Sequence, residues 1–160
     1  PQRAGSAHGL LMAGIIDTNI LLYAANRDAA EQPAAAKFLY TAAASAQPWF
    51  LTDGILYEFL RVSTHPRVFS RPLTWKDAVS FLKPLLDSTN FMILTADERH
   101  WLLLEEVLAV LTHPAGNLFF DIRTAVLMRE HGINEIYTTD TDFLQFPGIK
   151  VINPLRDLGR

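Results

Sequence analysis

At 160 residues, with 49% hydrophobic and 19% charged side chains, the chain has the composition of one globular unit, which excludes disorder and collagen-like repeats. Fourteen basic against seventeen acidic residues leave a net charge of −3, which argues against gripping nucleic acid through a broadly basic surface. There are no cysteines, which excludes disulfides, zinc-thiolate sites and thiol nucleophiles, and no apolar run reaches the roughly 18 residues of a membrane span, so a soluble cytoplasmic protein is expected.

Residues 1–11 lack periodicity and precede Met12. They are too short and polar for a signal peptide and read as an expression remnant, which leaves 12–160 as a single domain. Ile15-Ile16 then reads as a short buried strand that delivers Asp17, Thr18 and Asn19 at its end. Asn19 to Ala25 predicts a short helix, and Ala29 to Ala46 an alanine-rich one with Pro33 tolerated in its first turn. Trp49 to Thr52 is β-favouring. Asp53 can cap the helix that follows, where Ile55, Phe59 and Val62 share a face with Glu58 beside it and Arg61 one turn on.

His65-Pro66 ends that helix, because the residue before proline is pushed out of the α region. Thr74 caps a helix running to about Asp87 with Pro84 near its end, and Phe91 to Leu94 is a third strand. A helix opened by Thr95 or Asp97 runs to Leu111, and the loop 112–117 leads to a helix with Asp121 near its head, closed by His131-Gly132. Ile133 to Tyr137 is a fourth strand, ending in Thr138-Thr139-Asp140-Thr141-Asp142, and Gly148 to Ile152 is a last one. Helices between strands too far apart for hairpins predict an α/β fold, a mainly parallel central sheet of four to five short strands flanked by helices.

Open parallel sheets place ligands at the carboxyl edge of the strands, where Asp17 and Asp140 fall. Glu58 beside an apolar face is costly to leave unpaired, and gathered acids raise one another's pKa values. A divalent cation removes that conflict. All-oxygen ligands suit Mg²⁺ or Mn²⁺, and Thr18, Asn19, Thr138, Thr139 and Thr141 are placed to orient carboxylates or water. The five histidines show no ligand spacing.

Each acid also has a local reading. Asp17 and Asp121 could be helix N-caps, Asp140 and Asp142 could form an Asx-turn, and Glu58 could pair with Arg61 on its own helix. Arg61 has a second use, contact with a phosphate, as does Arg123. The i, i+3 partner favours the structural role for Arg61.

Asp17-Thr18-Asn19 after a strand, Glu58 within Tyr57-Glu58-Phe59-Leu60-Arg61-Val62, Asp121 heading a long helix, and Thr139-Asp140-Thr141-Asp142-Phe143 together resemble the PIN-domain ribonucleases, most nearly the VapC-type toxins of bacterial toxin-antitoxin modules. The likeness runs from about Met12 to Pro154. It implies a three-layer α/β/α fold and Mg²⁺- or Mn²⁺-dependent endonucleolytic cleavage of RNA, leaving 5′-phosphate and 3′-hydroxyl ends. It implies Asp17, Glu58, Asp121 and Asp140 as the catalytic, metal-holding acids, Asp142 as an additional ligand, and Asn19 and Thr139 as polar neighbours. A homodimer and a cognate antitoxin that blocks the acidic pocket are also implied.

Other functions remain open on the residues alone. An RNA-processing or structure-specific nuclease would use the same acids. A haloacid-dehalogenase-like phosphatase needs a second aspartate two residues after the first, where Asn19 stands. An acidic pocket that only receives a basic peptide would bind its partner without metal and turn over no RNA.

Overall fold

A computed structural model describes residues 14–156; the expected remnant at 1–11 lies outside the described residues. The elements in order are β1 (Ile15–Ile16), α1 (Thr18–Ala25), α2 (Gln32–Ala44), β2 (Trp49–Thr52), α3 (Asp53–Ser63), α4 (Trp75–Leu86), β3 (Phe91–Leu94), α5 (His100–Ala109), α6 (Leu118–Glu130), β4 (Glu135–Tyr137) and β5 (Lys150–Ile152), with a 3₁₀ turn at Asp142–Gln145. The strands form one five-stranded sheet in the order β3-β2-β1-β4-β5, every neighbouring pair parallel. The expected α/β architecture is the observed one.

β1 is the central strand, and both of its residues are fully buried, as a strand covered by helices on two faces requires. It lies so close to β4 that a Cβ on Gly14 would collide with the Glu135 carbonyl. From β1 the chain builds outward through β2 and β3, then returns across the sheet to lay β4 and β5 on the other side. The order therefore reverses between β1 and β4, which makes the carboxyl ends of these strands the switch point of the sheet.

Ile20, Leu21, Leu51, Phe59, Ile122, Leu127, Ile136 and Phe143 are fully buried around this sheet. Burial of each such side chain contributes roughly 1.5–3 kcal/mol. α6 ends in a Schellman motif: Gly132 takes φ +67°, its N–H donates to the Arg129 carbonyl, and the Ile133 N–H donates to that of Met128. The chain is thereby turned directly into β4.

Several local expectations need correction. Thr52, not Asp53, caps α3, its hydroxyl accepting from the Ile55 N–H at 3.0 Å, while Asp53 is drawn into an ion pair with Arg123. α5 begins at His100 rather than at Thr95 or Asp97, because the Asp97 carboxylate closes a turn on the Arg99 N–H first. No helix among the described residues is long and apolar enough to cross a membrane.

Candidate metal centre

Asp17 leaves β1 and serves as the N-cap of α1, its Oδ1 accepting from the Thr18 N–H at 2.8 Å. Its Oδ2 accepts from the Thr138 hydroxyl at 2.7 Å and the Asn19 amide at 3.2 Å. Thr138, buried at the end of β4, is the hub of this edge. Its oxygen also accepts from the Asn19 amide at 2.8 Å and from the Asp140 N–H at 3.0 Å. Asn19 completes the link by accepting the Thr139 N–H at 3.2 Å. One asparagine and one threonine thus tie the ends of β1 and β4 together.

Glu58 reaches the same edge from α3 and accepts the Thr18 hydroxyl at 3.0 Å. The expectation that Arg61 holds Glu58 is not met. Among the described residues Arg61 forms no ion pair and lies exposed. Asp121 stands in the first turn of α6, whose cap position is Asn117, so it is free of the capping role. Asp140 does form an Asx-turn, accepting the Asp142 N–H at 2.8 Å, which aims both carboxylates back toward α6.

The outcome is a triad. Carboxylate oxygens of Asp121, Asp140 and Asp142 lie within 4.8 Å of one another. Asp17 and Glu58 sit outside that triad but close enough to add their charge to it. Burial pushes the Asp121 carboxyl up to about 7, with the charges of Asp17, Asp140, Asp142 and Glu58 adding to the rise. Burial likewise raises Asp17 to about 6 against the hydrogen bonds from Thr138 and Thr18, and Glu58 and Asp140 contribute further. No lysine, arginine or histidine among the described residues forms an ion pair with any of the five acids. The donor set is all oxygen and carries uncompensated negative charge, which fits a hard divalent cation.

The Thr139 hydroxyl, expected to orient a carboxylate, makes no such bond among the described residues; its backbone serves instead. Residues not singled out from the sequence stand beside the acids: Tyr57 precedes Glu58 and Phe120 precedes Asp121, both strongly exposed. Their position one residue before an acid was the available signal.

The PIN domain family profile matches residues 15–149. Ribonuclease VapC24 of Mycobacterium tuberculosis is 33% identical over 153 residues, covering 90% of this chain and 98% of that protein. Ribonuclease VapC33 of the same species is 36% identical over 109 residues, covering 67% of this chain and 73% of that protein. Among solved structures, a chain of VapBC2 from Rickettsia felis, crystallised on a DNA fragment from its promoter, superposes with a TM-score of 0.63 at 18% identity, covering 89% of this chain and 98% of that one. VapC20 of M. tuberculosis, described as a sarcin-ricin loop cleaving toxin, gives 0.58 at 20%, covering 84% and 97%.

Proposed function

This chain belongs to the PIN-domain family, and on that premise we propose that it is a divalent-metal-dependent endoribonuclease, the toxin of a toxin-antitoxin pair acting in the cytoplasm. The observation that carries the reading is the Asp121–Asp140–Asp142 triad at the sheet's switch point, without an ion-pair partner among the described residues and backed by Asp17 and Glu58. The nuclease unit spans 12–160 on this reading.

Asp121, Asp140 and Asp142 would hold Mg²⁺ or Mn²⁺, with Asp17 and Glu58 completing the negative site. When bound, such an ion neutralises charge developing on phosphoryl oxygens and acidifies water for in-line attack. The chain's own part is alignment. Thr138, Asn19 and the Thr18 N–H fix Asp17 by three donors, and the Thr18 hydroxyl fixes Glu58. Burial and the neighbouring acids raise the Asp121 carboxyl to about 7, so protons would compete with a bound ion for it near neutral pH. Attack on phosphorus breaks the bond to the 3′ oxygen, leaving 3′-hydroxyl and 5′-phosphate ends.

The partners are RNA, a cognate antitoxin that covers the acidic site, and a second copy of the chain. Exposed Trp75, Val79 and Leu86 on α4 and Trp101 and Leu102 on α5 support apolar association. The test is incubation of total cellular RNA with the purified protein in Mg²⁺, Mn²⁺ or EDTA, with Asp17→Asn as control. Discrete fragments that require metal and vanish in the variant are expected. A folded protein that cuts no RNA under any metal, yet captures a basic peptide in EDTA, would overturn the reading.

A further inference from the structure

Beside the acids lies a pocket of about 460 Å³, lined by Asp53, Gly54, Tyr57, Glu58, Arg61, Phe120 and Arg123. Glu58 lines this pocket and also accepts the Thr18 hydroxyl at the acidic edge, so the two adjoin. Its volume falls in the range of small-molecule sites. α3 contributes Tyr57 and, one turn later, Arg61; α6 contributes Phe120 and, nearly one turn later, Arg123. Two helices therefore present the same pairing of aromatic ring and guanidinium to one space.

Both rings are costly to leave in water, with Tyr57 74% and Phe120 66% exposed. Neither stacks on another aromatic among the described residues. The two cations differ. Arg123 Nη2 is held by Asp53 at 2.6 Å, and Gly54 leaves it room, since a Cβ there would stand 2.8 Å from Nη1. Arg61 has no ion-pair partner among the described residues although the acids stand nearby.

We infer that this pocket is a nucleotide subsite: it takes an unpaired base of single-stranded RNA against Tyr57 and Phe120, with the neighbouring phosphate on Arg61. The inference rests on the nuclease reading and deepens it. Aromatic faces stack on any base, and a free guanidinium neutralises a phosphate. A basic peptide fits less well, because its cations would meet Arg61 and Arg123. A base already stacked in a duplex cannot enter, so the subsite selects single-stranded or splayed RNA.

The experiment measures binding of a fluorescein-labelled, randomised single-stranded RNA pool by anisotropy across a salt series, with Ca²⁺ replacing Mg²⁺. Tyr57→Ala and Phe120→Ala should each weaken binding about tenfold without changing the salt dependence, and Tyr57→Phe should bind like the wild type. Arg61→Gln should lower the slope of log affinity against log salt by about 0.7. All three positions are exposed, and circular dichroism confirms folding. Unchanged affinity in both alanine variants overturns the inference, whether the pocket then receives a protein or nothing. If the wild type cuts RNA while those variants bind normally, the subsite alone fails. If the wild type neither binds nor cuts RNA, the nuclease reading fails and the subsite with it.

Discussion

Thr18 on α1 donates its hydroxyl to Glu58 on α3 at 3.0 Å, across a separation of 40 residues, while its backbone N–H donates to Asp17 next to it. One residue therefore sets the position of two acids on different elements. Thr18→Val keeps the volume and removes the hydroxyl bond to Glu58. A hydrogen bond to a charged group contributes about 1.5–3 kcal/mol, so RNA cleavage should fall at least about tenfold. Thr18→Ser should restore most of it, and single-turnover cleavage across a metal titration checks both variants.

Removing a triad carboxylate should uncouple metal from stability. A ligand at 100 times its Kd stabilises the folded state by about 2.7 kcal/mol, which for a chain of this size raises Tm by roughly 5–10 °C. The wild type should show such a rise in Mn²⁺. Asp121→Asn and Asp140→Asn should lose most of it and should melt no lower than the wild type in EDTA, because the acid cluster loses one of its repelling charges. Thermal melts in EDTA and in Mn²⁺ decide this.

Stability should depend on pH through the same acids. The folded pKa values of Asp17 (about 6) and Asp121 (about 7) lie above the unfolded value of 3.8. Between those values the folded state holds more protons than the unfolded one, so their contribution is full below about pH 4 and is lost as pH rises through 6 to 7. For Asp17 the change is roughly 3 kcal/mol. In EDTA, denaturant midpoints should fall from pH 5 to pH 8. Asp17→Asn should flatten that fall, and saturating Mg²⁺ should oppose it. Cleavage should run the other way and rise over the same interval, since protons compete with the ion for the carboxylates.

At the far end of α6, the Glu130 side chain is fully buried, with Oε1 3.1 Å from His100 Nδ1 and no partner for Oε2 among the described residues. His100→Ala leaves that carboxyl without its side-chain partner and should cost about 1–3 kcal/mol. Glu130→Met, which replaces the polar group by an apolar one of similar shape, should cost less. Urea unfolding of the two variants at pH 7 tests the ordering, and RNA cleavage per folded molecule should be unaffected by either.

The parts of this architecture that follow local rules were legible in the chain. Ile15-Ile16 followed by Asp17, and Tyr137 followed by Thr138 to Asp142, mark two strand ends whatever their partners, and a parallel sheet then brings them to one edge. The capping and turn readings of Asp17 and Asp140 were also correct, and they coexist with membership of the acidic cluster, since each acid spends one oxygen locally. What local rules missed depends on distant partners. Arg61 lies one turn from Glu58, yet Glu58 is held by Thr18. Asp53 is as good a cap as Thr52, but Arg123, 70 residues away, takes it. Thr138 and Thr139 are alike in composition. Only the register of β4 beside β1 makes the first the hub and leaves the second to its backbone.

The shared edge of β1 and β4 joins residues far apart in the chain: Asn19 meets Thr138 across a separation of 119 positions. During synthesis the chain emerges amino end first, so Asp17 and Glu58 exist long before their companions. Thr138 is itself fixed through its N–H to the Ile152 carbonyl of β5, the final strand. A ribosome must therefore carry the polypeptide through Ile152 before the acidic edge can assemble. Chains that stop before Ile152 lack this edge, and its geometry waits on the docking of β4 and β5.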